Sequence, residues 1–284
     1  MSGVKDKKVE EIQIEIIEHS ENKISMLLKN IPVIVANSIR RAIMSYVPTL
    51  AIDKVYIFKN SSLMNDNMLA HRLGLIPLKM PLNEMPALPI DKDIDEDFHV
   101  TLTLRVEARE KPITVLSSHL KSTSPFVKIP IGDIEIVKLM PGQEIEAEMW
   151  AYVGRGRLHA KWSPVSIAVV RGLPIVNLPS SHCNQGCEKC IEACPKGLLY
   201  RDRNIIKIKD IYSCTVCKLC EDNCPGGYIK VNIDESSSLL YFESIGQLEP
   251  SEIIESAFNE LLKEIDAFYD SFSKVEFDGN QLKK

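Results

Sequence analysis

Eight cysteines occur in this chain of 284 residues, and all eight lie between positions 183 and 224. No other feature constrains the fold as tightly. A segment of about 50 residues buries too little apolar surface to hold itself together and must draw on its thiols. The first group reads Cys183-x3-Cys187-x2-Cys190-x3-Cys194-Pro195, and the second Cys214-x2-Cys217-x2-Cys220-x3-Cys224-Pro225. The opening MSGVKDKKVEE has no apolar signal-peptide core, and no uncharged apolar run reaches the roughly 18 residues of a membrane helix. The expectation is a cytoplasmic chain without membrane contact. Thiols in that compartment stay reduced and more often hold metal than form disulfides.

The second group has the full C-x2-C-x2-C-x3-C-P spacing that ligates iron–sulfur clusters in bacterial-type ferredoxins. Three thiolates separated by two residues each wrap one face of a cubane from a tight loop. The fourth leaves on the following helical turn and, in two-cluster ferredoxins, serves the other cluster. Crossing the assignments in this way expects Cys194, Cys214, Cys217 and Cys220 around one cluster. It expects Cys183, Cys187, Cys190 and Cys224 around a second. The first group departs from the pattern, with Asn184, Gln185 and Gly186 where two residues are expected. Gly186 can absorb the extra residue in a loop, and His182 is a candidate replacement ligand. One or two clusters are therefore expected, of the 4Fe-4S type or, at the irregular site, 3Fe-4S. Zinc sites and disulfide pairs are the competing readings, since C-x2-C pairs alone leave zinc open.

Outside the cysteine block the chain reads as α+β. Residues 9–30 form a hairpin in which Ile12, Ile14 and Ile16 alternate with Gln13, Glu15 and Ile17, the period of a strand with one buried face. Asn30 is the candidate N-cap of an amphipathic helix carrying Val35, Ile39, Ala42, Ile43 and Tyr46, which Pro48 ends. Arg40 and Arg41 lie beside that apolar stripe. Residues 50–58 read as a strand, 80–98 as a proline- and acid-rich loop, and the middle of the chain as mostly β. The GRGRLHAKW segment (154–162) reads as a surface turn. Residues 239–246 form a late strand. Pro250 and Glu252 then open a long helix whose Ile254, Phe258, Leu261, Ile265, Phe268, Phe272 and Val275 keep a 3.5-residue seam. Such a seam buries against the chain's own core or against a partner helix.

Charge and motifs narrow the function. The chain has 34 Lys+Arg against 39 Asp+Glu, a net charge of -5. Free-standing nucleic-acid binders carry a basic excess instead. No Walker loop, G-x-G-x-x-G, G-x-S-x-G or H-E-x-x-H motif occurs. A ferredoxin-type electron-transfer component of a reductase complex remains the alternative on the cysteines alone, although no flavin or nicotinamide motif accompanies them.

The stretch NSIRRAIMSYVPTLAIDKVYIFKNSSLMNDNMLAHRLGLIPL (37–78) closely resembles the D subunit family of archaeal DNA-directed RNA polymerase, which is related to bacterial alpha. Residues 154–170 resemble the later part of that family's inserted domain, and 241–262 its final strand and helix. The resemblance implies a dimerisation domain (1–50 with 235–284) split by two insertions. These are a β-rich domain (51–180), whose last strand can return to the dimerisation domain, and a ferredoxin-like iron–sulfur domain (181–234). It also implies a heterodimer with the polymerase's L subunit. The N and P subunits join that pair, the large B subunit docks on it, and nucleic acid is reached only through the complex. By the same resemblance, Arg40 and Arg41 face the large B subunit. Phe258, Leu261, Ile265, Phe268 and Phe272 are expected at a partner interface. Nucleotidyl transfer belongs to a different polypeptide, and no catalytic residue is expected in this chain.

Overall fold

The structure, a computed structural model, describes residues 11–178, 188–203 and 205–274. In chain order it runs β1 (Gln13–His19), β2 (Lys23–Lys29), α1 (Val33–Ser45), β3 (Pro48–Asn60), α2 (Asp66–Gly74), β4 (Ile94–Ala108) and β5 (Ile113–Leu116). There follow β6 (Lys121–Ser122), β7 (Glu135–Leu139), β8 (Gln143–Arg155), β9 (Val165–Asn177), α3 (Lys189–Glu192) and β10 (Leu199–Asp202). The chain ends with β11 (Ile205–Ile208), α4 (Leu219–Asp222), β12 (Lys230–Ser244) and α5 (Pro250–Ser273). Contacts divide these elements into two units. One holds the chain up to residue 18 with 25–37 and 169–241. The other holds 19–24, 38–168 and 242 onwards.

The larger unit is built on a sheet in the order β3-β8-β4-β6. Its strands pair antiparallel with Leu50 opposite Val153, Ile52 opposite Ala151 and Leu102 opposite Met149. β4 alternates with period two. Val100, Leu102, Leu104 and Val106 are buried, while His99, Thr103, Arg105 and Glu107 face outward. The inward row meets Leu69 and Leu73 of α2 in one core. That helix is capped by the Asn65 side chain, which accepts from the Met68 amide at 2.8 Å. The loop expected over 80–98 gives way to strand from Ile94, and Asp95, Glu96 and Asp97 fall in the irregular stretch between the Ile94–Gly154 and His99–Tyr152 pairs.

The Gly-Arg segment is a surface turn only in its middle: residues 156–158 turn and 157–160 are exposed, while Arg155 and Trp162 at its ends are buried. Arg155 is fully buried, and its guanidinium donates to the carbonyls of Tyr46, Leu88, Pro89, Ile90 and Lys92 at 2.9–3.2 Å. It also pairs with the buried Glu260 carboxylate of α5 at 2.5 Å. One cation thereby gathers the proline-rich loop and the C-terminal helix. The glycines beside it allow close approach. A Cβ on Gly154 would lie 2.6 Å from the Trp162 ring, and one on Gly156 would overlap the Met44 carbonyl oxygen. The main chain at Met44 cannot yield as a side-chain tip would. Gly156→Ala is therefore expected to cost about 3 kcal/mol or more. Urea denaturation measures this, and a midpoint equal to that of the unchanged chain would refute it.

The smaller unit carries a sheet in the order β1-β2-β12-β9 and the cysteine module. Three expectations change here. Ile12, just ahead of β1, and Ile14 and Ile16 within it are exposed rather than buried, as is nearly every residue of this edge strand on both faces. Asn30 is not an N-cap: it takes a left-handed φ of 60° in the turn before α1, and its side-chain Nδ2 donates to the Glu11 carbonyl at 2.9 Å. The strand expected over 239–246 is the later part of a longer one, β12.

Candidate metal centre and exposed helix faces

The cysteine module is an internal repeat with an offset of 30 residues. Cys190 in α3 corresponds to Cys220 in α4, and Cys194 to Cys224. The hydrogen bonds repeat with them. The Cys194 amide donates to the Ile191 carbonyl and the Cys224 amide to the Glu221 carbonyl, both at 3.2 Å. Gly197 and Gly227 each donate to the cysteine carbonyl three residues earlier at 2.9 Å. Both glycines have φ near +60°, which a side chain would oppose.

Each half turns sharply after its Cys-Pro step, so each fourth thiol points back into the module. The Leu198 amide lies 3.4 Å from Cys194 Sγ. At Cys224, burial pushes the thiol pKa up, but the amides of Ile229, Tyr228, Gly226 and Gly227 together pull it below its ordinary value.

Cys194, Cys214, Cys217 and Cys220 line one pocket, with Leu198 and Val231 among the apolar residues around it. Burial raises the Cys220 thiol pKa first, and the neighbouring Cys194 and Cys214 raise it further. Mutual repulsion of this kind must be offset by bound cation before all the thiols can ionise. The loop between Cys214 and Cys220 is strained to aim them. Val216 and Lys218 both sit in the left-handed region at φ 55° and 61°. Such conformations cost about 1–3 kcal/mol each and persist only where something over-determines them. Among the described residues no three His, Cys, Asp or Glu side chains converge on a point suited to a single metal ion. The four thiols surround a shared space instead.

Cys183 and Cys187, with His182, lie outside the described residues, so of the second expected set only Cys190 and Cys224 are placed. Cys190 is buried in a small core with Leu199, Ile206, Ile229 and Val231.

The C-terminal helix opens with a capping box in which the Glu249 amide donates to Glu252 Oε2 at 2.8 Å. Its buried face is Ile253, Ala257 and Glu260. The heptad seam lies on another face: Phe258, Ile265, Phe268 and Phe272 are exposed, Phe268 to 72%. Ile254 and Leu261 are half-buried, and Val275 lies outside the described residues. On α1, Ile39, Ala42 and Ile43 are buried while Val35 is exposed. Arg40 is half-buried, its Nη1 3.1 Å from Met44 Sδ, and Arg41 is exposed. No helix among the described residues is long and apolar enough to cross a membrane.

Residues 55–173 match a family model described as the RNA polymerase Rpb3/RpoA insert domain. Much of the chain also aligns with DNA-directed RNA polymerase subunit Rpo3 from several archaea. It is 30% identical to the Aeropyrum pernix protein over 92% of this chain and 96% of the relative. It is 34% identical to the Archaeoglobus fulgidus protein over 86% and 92%. The chain belongs to the Rpo3 family. A third member, from Pyrococcus horikoshii, is 34% identical over 93% of this chain and 99% of its own length. The match to the Rpb3/RpoA insert domain ends at residue 173, within β9 and ahead of the cysteine module. Most of the β3-β8-β4-β6 sheet thus lies within the matched span.

Proposed function

We propose that this chain is a non-catalytic assembly platform of a cytoplasmic DNA-directed RNA polymerase, pairing through α1 and α5 with a small L-type subunit. The observation that carries this reading is the apolar seam of α5. A soluble helix that keeps Phe258, Ile265, Phe268 and Phe272 in water bears a cost of exposure that a second helix would relieve. The net charge of -5 supports contact with protein rather than with the template. The N and P subunits and the large B subunit complete the proposed assembly, with Arg40 and Arg41 toward the large one.

Affinity capture of the chain from its native cells under anaerobic conditions tests the proposal. A small partner and two very large chains are expected. Flavoproteins or dehydrogenase components in their place would mean an electron carrier. Phe268→Asp with Phe272→Asp should leave the melting temperature of the isolated chain unchanged while removing the small partner. Hot-spot aromatics contribute about 2 kcal/mol or more each, roughly thirtyfold in affinity. Unchanged capture by the double variant would place the interface elsewhere.

The cysteine module is proposed to hold an iron–sulfur cluster on Cys194, Cys214, Cys217 and Cys220. A soft tetrathiolate set around a shared space suits a multinuclear iron–sulfur group better than a single ion. Bound there, the cluster supplies cross-linking of two loops and one-electron redox capacity. Cys190 and Cys224, with Cys183 and Cys187, are proposed ligands of a second cluster. With so small a core of its own, the module would draw its folding energy from the metal.

A further inference from the structure

We infer that Arg171, on β9, is the positioning residue that holds the cysteine loop in its ligating conformation and sets the electrostatics of the first thiol; this rests on the cluster reading above. Arg171 Nη1 donates to the Cys214 carbonyl at 2.6 Å, and Nη2 donates to the Tyr212 carbonyl. Those carbonyls flank Ser213, immediately ahead of the strained stretch at Val216 and Lys218. A guanidinium fork bonding two acceptors fixes direction as well as distance, which a single ammonium does not.

The other side of the same turn is held independently. The Asp210 carboxylate accepts from the Tyr212 amide at 2.9 Å and from the Ser213 hydroxyl, and the Cys214 amide donates to the Ile211 carbonyl at 3.1 Å. The entry to the loop is therefore clamped to a 13-residue strand of the sheet by one side chain that is not itself a ligand. Outer partners of metal ligands typically account for about 10–100-fold in metal retention. Arg171 also places a permanent positive charge against the main chain of a thiolate ligand. That charge favours the more negative, reduced state of a bound cluster.

The test compares full-length chain, Arg171→Leu and Arg171→Lys, all purified without oxygen. Iron and acid-labile sulfide per chain, the rate of iron release to a chelator, and the midpoint potential are measured. Arg171→Leu should release iron about tenfold faster or more, with the potential shifted to more negative values. Arg171→Lys should restore most of the potential, because the charge is kept, but release iron several-fold faster than the unchanged chain, because the fork is lost. If Arg171→Leu cannot be isolated loaded, Arg171→Lys decides: release at the unchanged rate overturns the inference. A loaded Arg171→Leu with unchanged release and potential overturns it as well, leaving the cluster reading intact. Unchanged chain without iron and sulfide overturns the cluster reading and this inference together.

Discussion

Arg155→Met should destabilise the larger unit by about 3–5 kcal/mol, the cost typical of breaking a buried ion pair by removing one partner. The substitution keeps much of the side-chain volume, so the loss is electrostatic rather than a cavity. It leaves the Glu260 carboxylate, whose side chain is 8% exposed, without its cation. It also removes a donor from the carbonyls of Tyr46, Leu88, Pro89, Ile90 and Lys92, of which Pro89 keeps the Lys92 amide and Ile90 the Arg157 guanidinium. Lys263, 2.6 Å from Glu260 Oε1, is half-exposed and offsets only part of that charge.

Against a typical total stability of about 5–15 kcal/mol, this is enough to leave much of the population unfolded at physiological temperature. Urea denaturation of the recombinant chain measures it. Arg155→Met combined with Glu260→Leu should recover a large part of the loss, since it removes the stranded charge as well as its partner. A single variant within about 0.5 kcal/mol of the unchanged chain would show that water replaces the guanidinium without cost.

The second large effect is expected from changing Cys214, Cys217 and Cys220 together to serine. Among the described residues only five form the buried core of the module, Cys190 one of them, so the proposed cluster supplies the cross-links that apolar burial does not. The variant should lose iron and sulfide. Its segment from about 188 to 232 should become the first site of limited proteolysis. The core built on β3, β8 and β4 contains no cysteine and should keep its resistance. A triple variant that melts, resists protease and assembles like the unchanged chain would mean the thiols are structurally idle. Zinc in stoichiometric amount without sulfide would replace the cluster reading with a metal-ion one.

Much of this was legible locally. Period-two alternation marks β4, because successive side chains on a strand point to opposite faces. Pro250 and Glu252 mark the start of α5 through its capping box. The spacing of the cysteines marks a loop-and-turn unit, and the structure brings Cys194 to the second group's thiols in one pocket. The α2 helix lies outside the sequence expectations, although Asn65 ahead of Asp66 is an available N-cap signal. The 30-residue repeat of the module is likewise available in the two Cys-Pro runs.

What the sequence by itself determined is which side chains share a face and where turns must fall, since periodicity, caps and short spacings act within a few residues. Only the tertiary structure decided what covers each face. The isoleucines of β1 alternate as a half-buried strand does, yet β1 lies at a sheet edge and they remain exposed. The seam of α5 is equally regular, and its neighbours bury Ile253, Ala257 and Glu260 instead. Arg155 looks like a solvated turn residue because its partners lie 63 to 109 positions away. Contacts across such separations leave no local period, and they form only when the whole chain has closed around them.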